Sequence, residues 1–316
     1  MTADPFPLDK RLSSGRQRLN LAAAVALALV VALAFWLRLP GLEDKPLHSD
    51  EGVNGWFTLQ LYWWNVYRYN PNDYHGPLLY YVNLVWFWLL GPSDFALRLG
   101  TGLCGALLPC LLWPLRRFLG LVGLLTASLL ITCSPTFVYF SRTVIHEIYL
   151  VAATACGVGA AARFVFRPSW QWASLVGVSL ALAFASKETT VITLASVLVG
   201  FVLSWALGCV EPGDERVGDP DLFGGRSRME VIRGVLAAGW GPWLAGFLAL
   251  TVPMVVLFSS FFSWWPGVPA FFDAFGPWLE HGVSGRNQAK SWSYFLRLIL
   301  ETNGLLWIPA ALAGLW

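Results

Sequence analysis

A chain of 316 residues that is 56% hydrophobic and only 13% charged departs from soluble domains, in which about a quarter of residues carry charge. The formal net charge is +2 and no basic tract of the nucleic-acid-binding kind is present. Continuous apolar runs, in place of alternating ten-residue strands, argue against an outer-membrane barrel and for a polytopic α-helical membrane protein. The cysteines (Cys104, Cys110, Cys133, Cys156 and Cys209) show no CxxC spacing and read as packed small hydrophobes, not as a disulfide frame or zinc site.

In chain order, residues 1–18 form a polar tail with Lys10, Arg11, Arg16 and Arg18. The apolar run after it is too long for a signal-peptide core and lacks a small-residue cleavage site, so it reads as a retained first span. Spans are expected near 19–39, 95–115, 119–139, 147–165, 170–186, 189–208, 233–258 and 293–316, about eight in all. Basic clusters at Lys10 to Arg18, Arg116-Arg117, Arg163 with Arg167, and Arg216 to Arg233 then fall on the cytoplasmic side. That places the N-terminus and loop 209–232 inside, and loops 40–94 and 259–292 outside. It also requires residues 76–90 not to cross. With the amphipathic stretch 52–68 they are expected to lie in the interface, where aromatic rings prefer to sit. The chain stops at Trp316 inside an apolar stretch, which reads as a shortened C-terminus.

This orientation gathers the acid/base pairs on one side. Asp50 and Glu51 sit side by side after the first span, in Leu47-His48-Ser49-Asp50-Glu51-Gly52. Ionisable groups at membrane depth cost about 2.5–3.5 kcal/mol each on insertion scales and so mark a candidate site. A carboxylate near the low-dielectric boundary can act as general base toward a hydroxyl. Its neighbour can raise its pKa or help hold a divalent cation. The alternative is a pair of solvated loop acids. His75 precedes Gly76-Pro77 in the same loop. Pro135 breaks the third span near its outer end, and Arg142, His146 and Glu147 follow on the turn. Arg suits a phosphate and His/Glu a metal or proton, while an Arg142–Glu147 ion pair closing the turn is the structural alternative. Lys187-Glu188 ends another span and suits either a lipid phosphate or a snorkelling pair. The aromatics of 259–292 suit a wall for an apolar chain or an ordinary aromatic belt. Three charged outer turns fit the walls of one pocket, or three unrelated loop tips.

These motifs, in this order, resemble a GT-C type membrane glycosyltransferase: Asp50-Glu51, then His75-Gly76-Pro77-Leu78-Leu79-Tyr80-Tyr81, Phe95-Ala96-Leu97-Arg98-Leu99, Arg116-Arg117, Ser134 to Arg142, and Lys187-Glu188. The layout is similar to that of protein O-mannosyltransferases and aminoarabinose lipid A transferases. His48-Ser49-Asp50-Glu51-Gly52, Tyr74-His75-Gly76-Pro77 and Phe258-Ser259-Ser260-Phe261-Phe262 resemble the flippase-activity-associated membrane family found with archaeal-type N-glycosylation genes. That family's late-loop His-x-Lys-Pro stretch reads Gln288-Ala289-Lys290-Ser291 here, with His and Pro replaced.

The resemblance implies an all-α polytopic bundle in the cytoplasmic membrane with its site on the outer face. The implied activity is inverting transfer of a hexose or pentose from a polyprenyl-phosphate carrier to a lipid, glycan or protein. Asp50 would be the general base and Glu51 its supporting acid. His48, His75, Arg98, Arg142, His146, Glu147, Lys187 and Glu188 would contact substrate, with Lys187, Arg142 or Arg98 at the departing phosphate. A divalent Mg or Mn ion is a candidate cofactor, on Asp50, His146 and Glu147. The rival reading is a non-catalytic, flippase-associated protein that hands over lipid-linked sugars.

Overall fold

The computed structural model describes residues 8–72, 75–206 and 228–276, and a few residues between 293 and 301. Among the described residues every regular element is a helix. Helix α1 (Leu8–Arg38) contains the first apolar span, Leu21–Arg38. After a turn come α2 (Ser49–Trp64), α3 (Leu78–Leu90) and α4 (Asp94–Leu111). A 3-10 turn at Trp113–Leu115 links α4 to α5 (Arg116–Cys133). The short α6 (Pro135–Ser141), α7 (Glu147–Phe166), α8 (Trp170–Phe184) and α9 (Thr190–Ala206) follow. Next are α10 (Arg228–Leu236), α11 (Trp240–Phe258) and the short α12 (Gly267–Asp273).

Among the described residues four segments are long and apolar enough to cross a membrane: Leu21–Arg38, the α4–α5 pair, α7 and α11. Shorter apolar helices, α3, α8 and Thr190–Gly200, lie among them. The protein is therefore a helical membrane protein. Two spans and one loop differ from expectation. The third span ends at Cys133, not 139, because Pro135 cannot donate a backbone hydrogen bond and starts α6 instead. The expected 233–258 divides into α10 and α11 at Gly239, whose φ of 73° lies outside the helical region. Loop 259–292 carries α12, entered through Ser260, Phe261 and Phe262, all at positive φ. The span expected at 293–316 and most of loop 209–232 lie outside the described residues, as does Asp73.

Packing follows small residues. Helix α8 lies between α7 and α11, while α4 is gripped by α1, α3, α5 and α7. On the α8–α11 seam a Cβ added at Gly177 would collide with the Gly246 carbonyl, so the backbones touch there as only glycine permits. A Cβ at Gly100 of α4 would come within 2.7 Å of the Tyr149 hydroxyl.

Helix α2 is amphipathic in an inverted sense. Its buried face is Glu51, Asn54, Gly55, Thr58 and Leu61, at helical spacing, while Trp56, Trp63 and Trp64 are exposed. Polar groups turned inward and indoles turned outward fit a helix lying at a membrane interface beside α3.

Candidate functional site

The first loop is held by an ion pair. His48 caps α2 and accepts from the Asp50 amide at 3.3 Å, while Glu51 Oε2 accepts from the His48 amide at 3.0 Å, a reciprocal capping box. Glu51 is fully buried. Its Oε1 also accepts from the Val144 amide at 3.1 Å and from Arg98 Nε at 2.8 Å, and its Oε2 from Arg98 Nη2 at 3.0 Å. Arg98 is fully buried too, and it donates further to the carbonyls of Leu42 (2.6 Å), Lys45 (3.0 Å) and Pro46 (3.2 Å). Burial pushes the Glu51 carboxyl up, but the Arg98 hydrogen bonds, the two amides and the Arg98 charge outweigh it and hold the pKa at about 2.

Two expectations are thereby corrected. Arg98 has no free donor direction for a phosphate, and Glu51 has no oxygen open to substrate. They form a clip that fastens the first loop to α4 and to the turn before α7. Asp50, next to Glu51, points the other way: its side chain is 73% exposed, with Oδ2 3.8 Å from His48 Nδ1. One turn on, Asn54 donates to the Val144 carbonyl at 2.8 Å and accepts from the Tyr80 hydroxyl at 3.3 Å.

Arg142 is also engaged within the fold. Its guanidinium donates to the carbonyls of Leu37, Arg38, Pro40 and Gly41 at 2.7–3.5 Å, the C-terminal end of α1. Those carbonyls have no helical partner, and the cation also suits the negative end of the helix. Glu147 pairs with Lys187, not with Arg142.

The remaining expected residues come together. The 185–188 turn is registered against 75–78 by the Gly76 amide donating to the Ser186 carbonyl (3.2 Å) and the Leu78 amide to Ala185 (2.9 Å). Across this seam His75 Nδ1 donates to Glu188 Oε2 at 2.8 Å. The rings of His75 and His146 meet edge to face at 5.3 Å, and His146 meets Tyr80 at 5.6 Å. His146 is 3% exposed and its Nε2 has no hydrogen-bond partner. Burial, then the nearby His75 and Lys187, holds it well below the usual imidazole range against a backbone hydrogen bond with Gly76, so it stays neutral. His75, His146, Glu147, Lys187 and Glu188 thus form one cluster from three separate turns.

A cleft of about 440 Å³ is lined chiefly by Phe184, Val191, Met254, Phe258, Phe271 and Phe275 of α8, α9, α11 and the α12 region. Phe184 and Val191 flank the Lys187–Glu188 turn. Tyr69 stacks edge to face on Phe258 at 4.8 Å and feels the charge of Glu188.

The candidate metal donors are not brought together: among the described residues no group of three His, Cys, Asp or Glu side chains is placed to hold an ion. Asp50 meets His48 and Ser49, whereas Glu147 meets Lys187 and His146 meets His75 and Tyr80. Asp50, His146 and Glu147 thus face separate partners and do not converge as a set of metal donors.

A family model described as dolichyl-phosphate-mannose-protein mannosyltransferase matches residues 74–208. That segment holds His75, Arg98, Arg142 and the His146 to Glu188 cluster. The match supports the GT-C superfamily of membrane glycosyltransferases. It covers less than half of the chain and does not include Asp50 or Glu51. No curated protein matches the chain.

Sequence reasoning gave no role to Asn54, Tyr80 or Tyr69, which tie the first loop to the cluster. A usable signal for Asn54 was its place three residues after Glu51, on the same helical face.

Proposed function

We propose that the protein transfers a sugar, mannose in the first instance, from a polyprenyl-phosphate carrier to a lipid, glycan or protein hydroxyl at the outer face of the cytoplasmic membrane. The observation that carries this reading is the charged cluster of His75, Glu147, Lys187 and Glu188, whose 187–188 turn lies between Phe184 and Val191 of an apolar cleft. A ligand with an anionic head and a long apolar tail suits that pairing, because each part finds its own solvent.

Asp50 takes the acceptor proton as the hydroxyl attacks the anomeric carbon in an inverting displacement. Its exposure leaves it reachable by an acceptor, and the Glu51–Arg98 clip beneath it fixes the helix end that bears it. Lys187 lies next to the leaving phosphate, where its charge opposes the charge that builds as the bond breaks. His48 and His146 flank acceptor and donor sides.

The test is transfer of radiolabelled mannose from dolichyl phosphate mannose in membranes carrying the wild-type chain or Asp50→Asn. Transfer by wild type and its loss in Asp50→Asn at equal expression is the expected result. Transfer that survives the change removes Asp50 as base. Absence of transfer by wild type across a panel of lipid-linked sugars overturns the transferase reading in favour of lipid-linked sugar handling without bond chemistry.

A further inference from the structure

We propose that His75, held by Glu188, is the acid of the reaction: as an imidazolium it contacts the phosphate of the lipid-linked sugar through Nε2 and protonates the departing oxygen. The proposal rests on the transferase reading above and gives a role to a residue outside the base at Asp50.

The geometry of the pair is that of a carboxylate-oriented imidazole. Glu188 is buried, with a side chain 10% exposed, and its Oε2 lies 2.8 Å from His75 Nδ1. That bond, donated by Nδ1 to the carboxylate, fixes the plane of the ring. His75 is 40% exposed, with its Nδ1 engaged by Glu188 and its ring meeting that of His146. Nε2 is therefore the nitrogen left for an outside partner.

The surroundings select an anion only when His75 is charged. Glu188 and Lys187 face it from the 185–188 turn, and His146 and Glu147 from the start of α7. Tyr80 of α3 and Tyr69 of the first loop complete the neighbourhood. His146 is kept neutral by burial, and Lys187 is balanced by Glu147. With His75 protonated the two acids and two cations cancel. With His75 neutral the cluster carries a net negative charge, which repels a phosphodiester. The unpartnered Nε2 of His146, buried beside His75, is a polar atom still lacking a partner at the same place. The lining of the apolar cleft includes Phe184 and Val191, on either side in sequence of the turn that carries Glu188. A prenyl chain in that cleft brings its phosphate to this end.

The step balances. The acceptor oxygen forms a bond to the anomeric carbon while the bond from that carbon to the phosphate oxygen breaks, and its electron pair stays on the phosphate. The acceptor proton passes to the Asp50 carboxylate and the Nε2 proton of His75 passes to the phosphate oxygen. The products are the glycosylated acceptor and a singly charged lipid phosphate. Asp50 and His75 exchange protons with water to reset, which their exposure allows.

The deciding measurement is binding of dolichyl phosphate mannose to the full chain in detergent, read by quenching of tryptophan fluorescence. Its phosphodiester keeps one negative charge throughout, so the pH dependence reports the protein. Imidazoles titrate between about pH 5 and pH 8. Binding to wild type should be about tenfold tighter near pH 5.5 than near pH 8.5, as expected of one charge-assisted contact. Free dolichol, which has no phosphate, should bind alike at both. His75→Gln should abolish the preference, Glu188→Gln should reduce it, and His75→Lys should give tight binding at both pH values. The lysine variant also distinguishes a lost charge from a misfolded chain. Equal wild-type binding at the two pH values, or a preference that persists in His75→Gln, overturns the proposal. In the transfer assay wild-type turnover should fall on the alkaline side and His75→Gln should remove that limb. The pH-dependent binding without any transfer keeps the phosphate contact and refutes the transferase reading instead.

Discussion

Removing one partner of the Glu51–Arg98 clip separates a structural role from a catalytic one. In Arg98→Met the Glu51 carboxylate keeps the His48 and Val144 amides and Lys45 at 3.5 Å, but loses both guanidinium bonds. Three loop carbonyls, of Leu42, Lys45 and Pro46, lose their donor at the same time. A fall in carboxyl pKa from 4.5 to about 2 corresponds to about 3 kcal/mol of interaction favouring the charged form. That figure also contains the His48 and Val144 amide bonds, which this variant keeps, while stranding one member of a buried pair costs about 3–5 kcal/mol by comparison with other proteins. At roughly 2–4 °C per kcal/mol the unfolding midpoint in detergent should drop by about 6–20 °C, followed by tryptophan fluorescence and size-exclusion recovery. Because the folded pKa is depressed, this stabilisation is fully present above pH 4.5 and is lost as pH falls toward about 2. The double variant Glu51→Leu with Arg98→Met should recover most of the loss, since no buried charge is left alone. An Arg98→Met protein with wild-type stability but no transfer would refute the reasoning and return Arg98 to the substrate.

Three further changes test neighbouring claims. Asp50→Asn, at an exposed position, should leave stability within about 0.5 kcal/mol while transfer falls at least about a hundredfold, measured on the same membranes. Gly76→Ala puts a Cβ against the Ala185 backbone, which cannot yield as a side chain can. It should cost about 1–3 kcal/mol in thermal unfolding and weaken the His75–Glu188 contact; an unaffected midpoint would mean that the 75–78 and 185–188 segments are not fastened as described. Arg142→Ala should leave the end of α1 uncapped at a cost of about 1.5–3 kcal/mol, visible as faster hydrogen exchange over residues 37–41.

The candidate residues were legible because charge is costly in so apolar a chain. Asp50-Glu51, His146-Glu147 and Lys187-Glu188 stand out by type alone, and their placement at helix ends follows from hydropathy. Their partners were not legible. Glu147 has an arginine five residues before it in Arg142, yet it pairs with Lys187, forty residues away in sequence. Arg98, on α4, reads as a free cation until the first loop folds over it and offers three carbonyls and a carboxylate.

The sequence by itself determined a helical membrane protein, the approximate run of its apolar helices and the short list of ionisable residues. Composition and period are local properties of the chain, and lipid leaves a helix as the way to satisfy the backbone. The tertiary structure decided which charges are consumed inside the fold, as Glu51, Arg98 and Arg142 are, and which stay available, as Asp50 and His75 do. Two adjacent acids, Asp50 and Glu51, are equivalent in sequence. They become opposites because a helix turns 100° between them, carrying one carboxylate onto a buried guanidinium and leaving the other in the open.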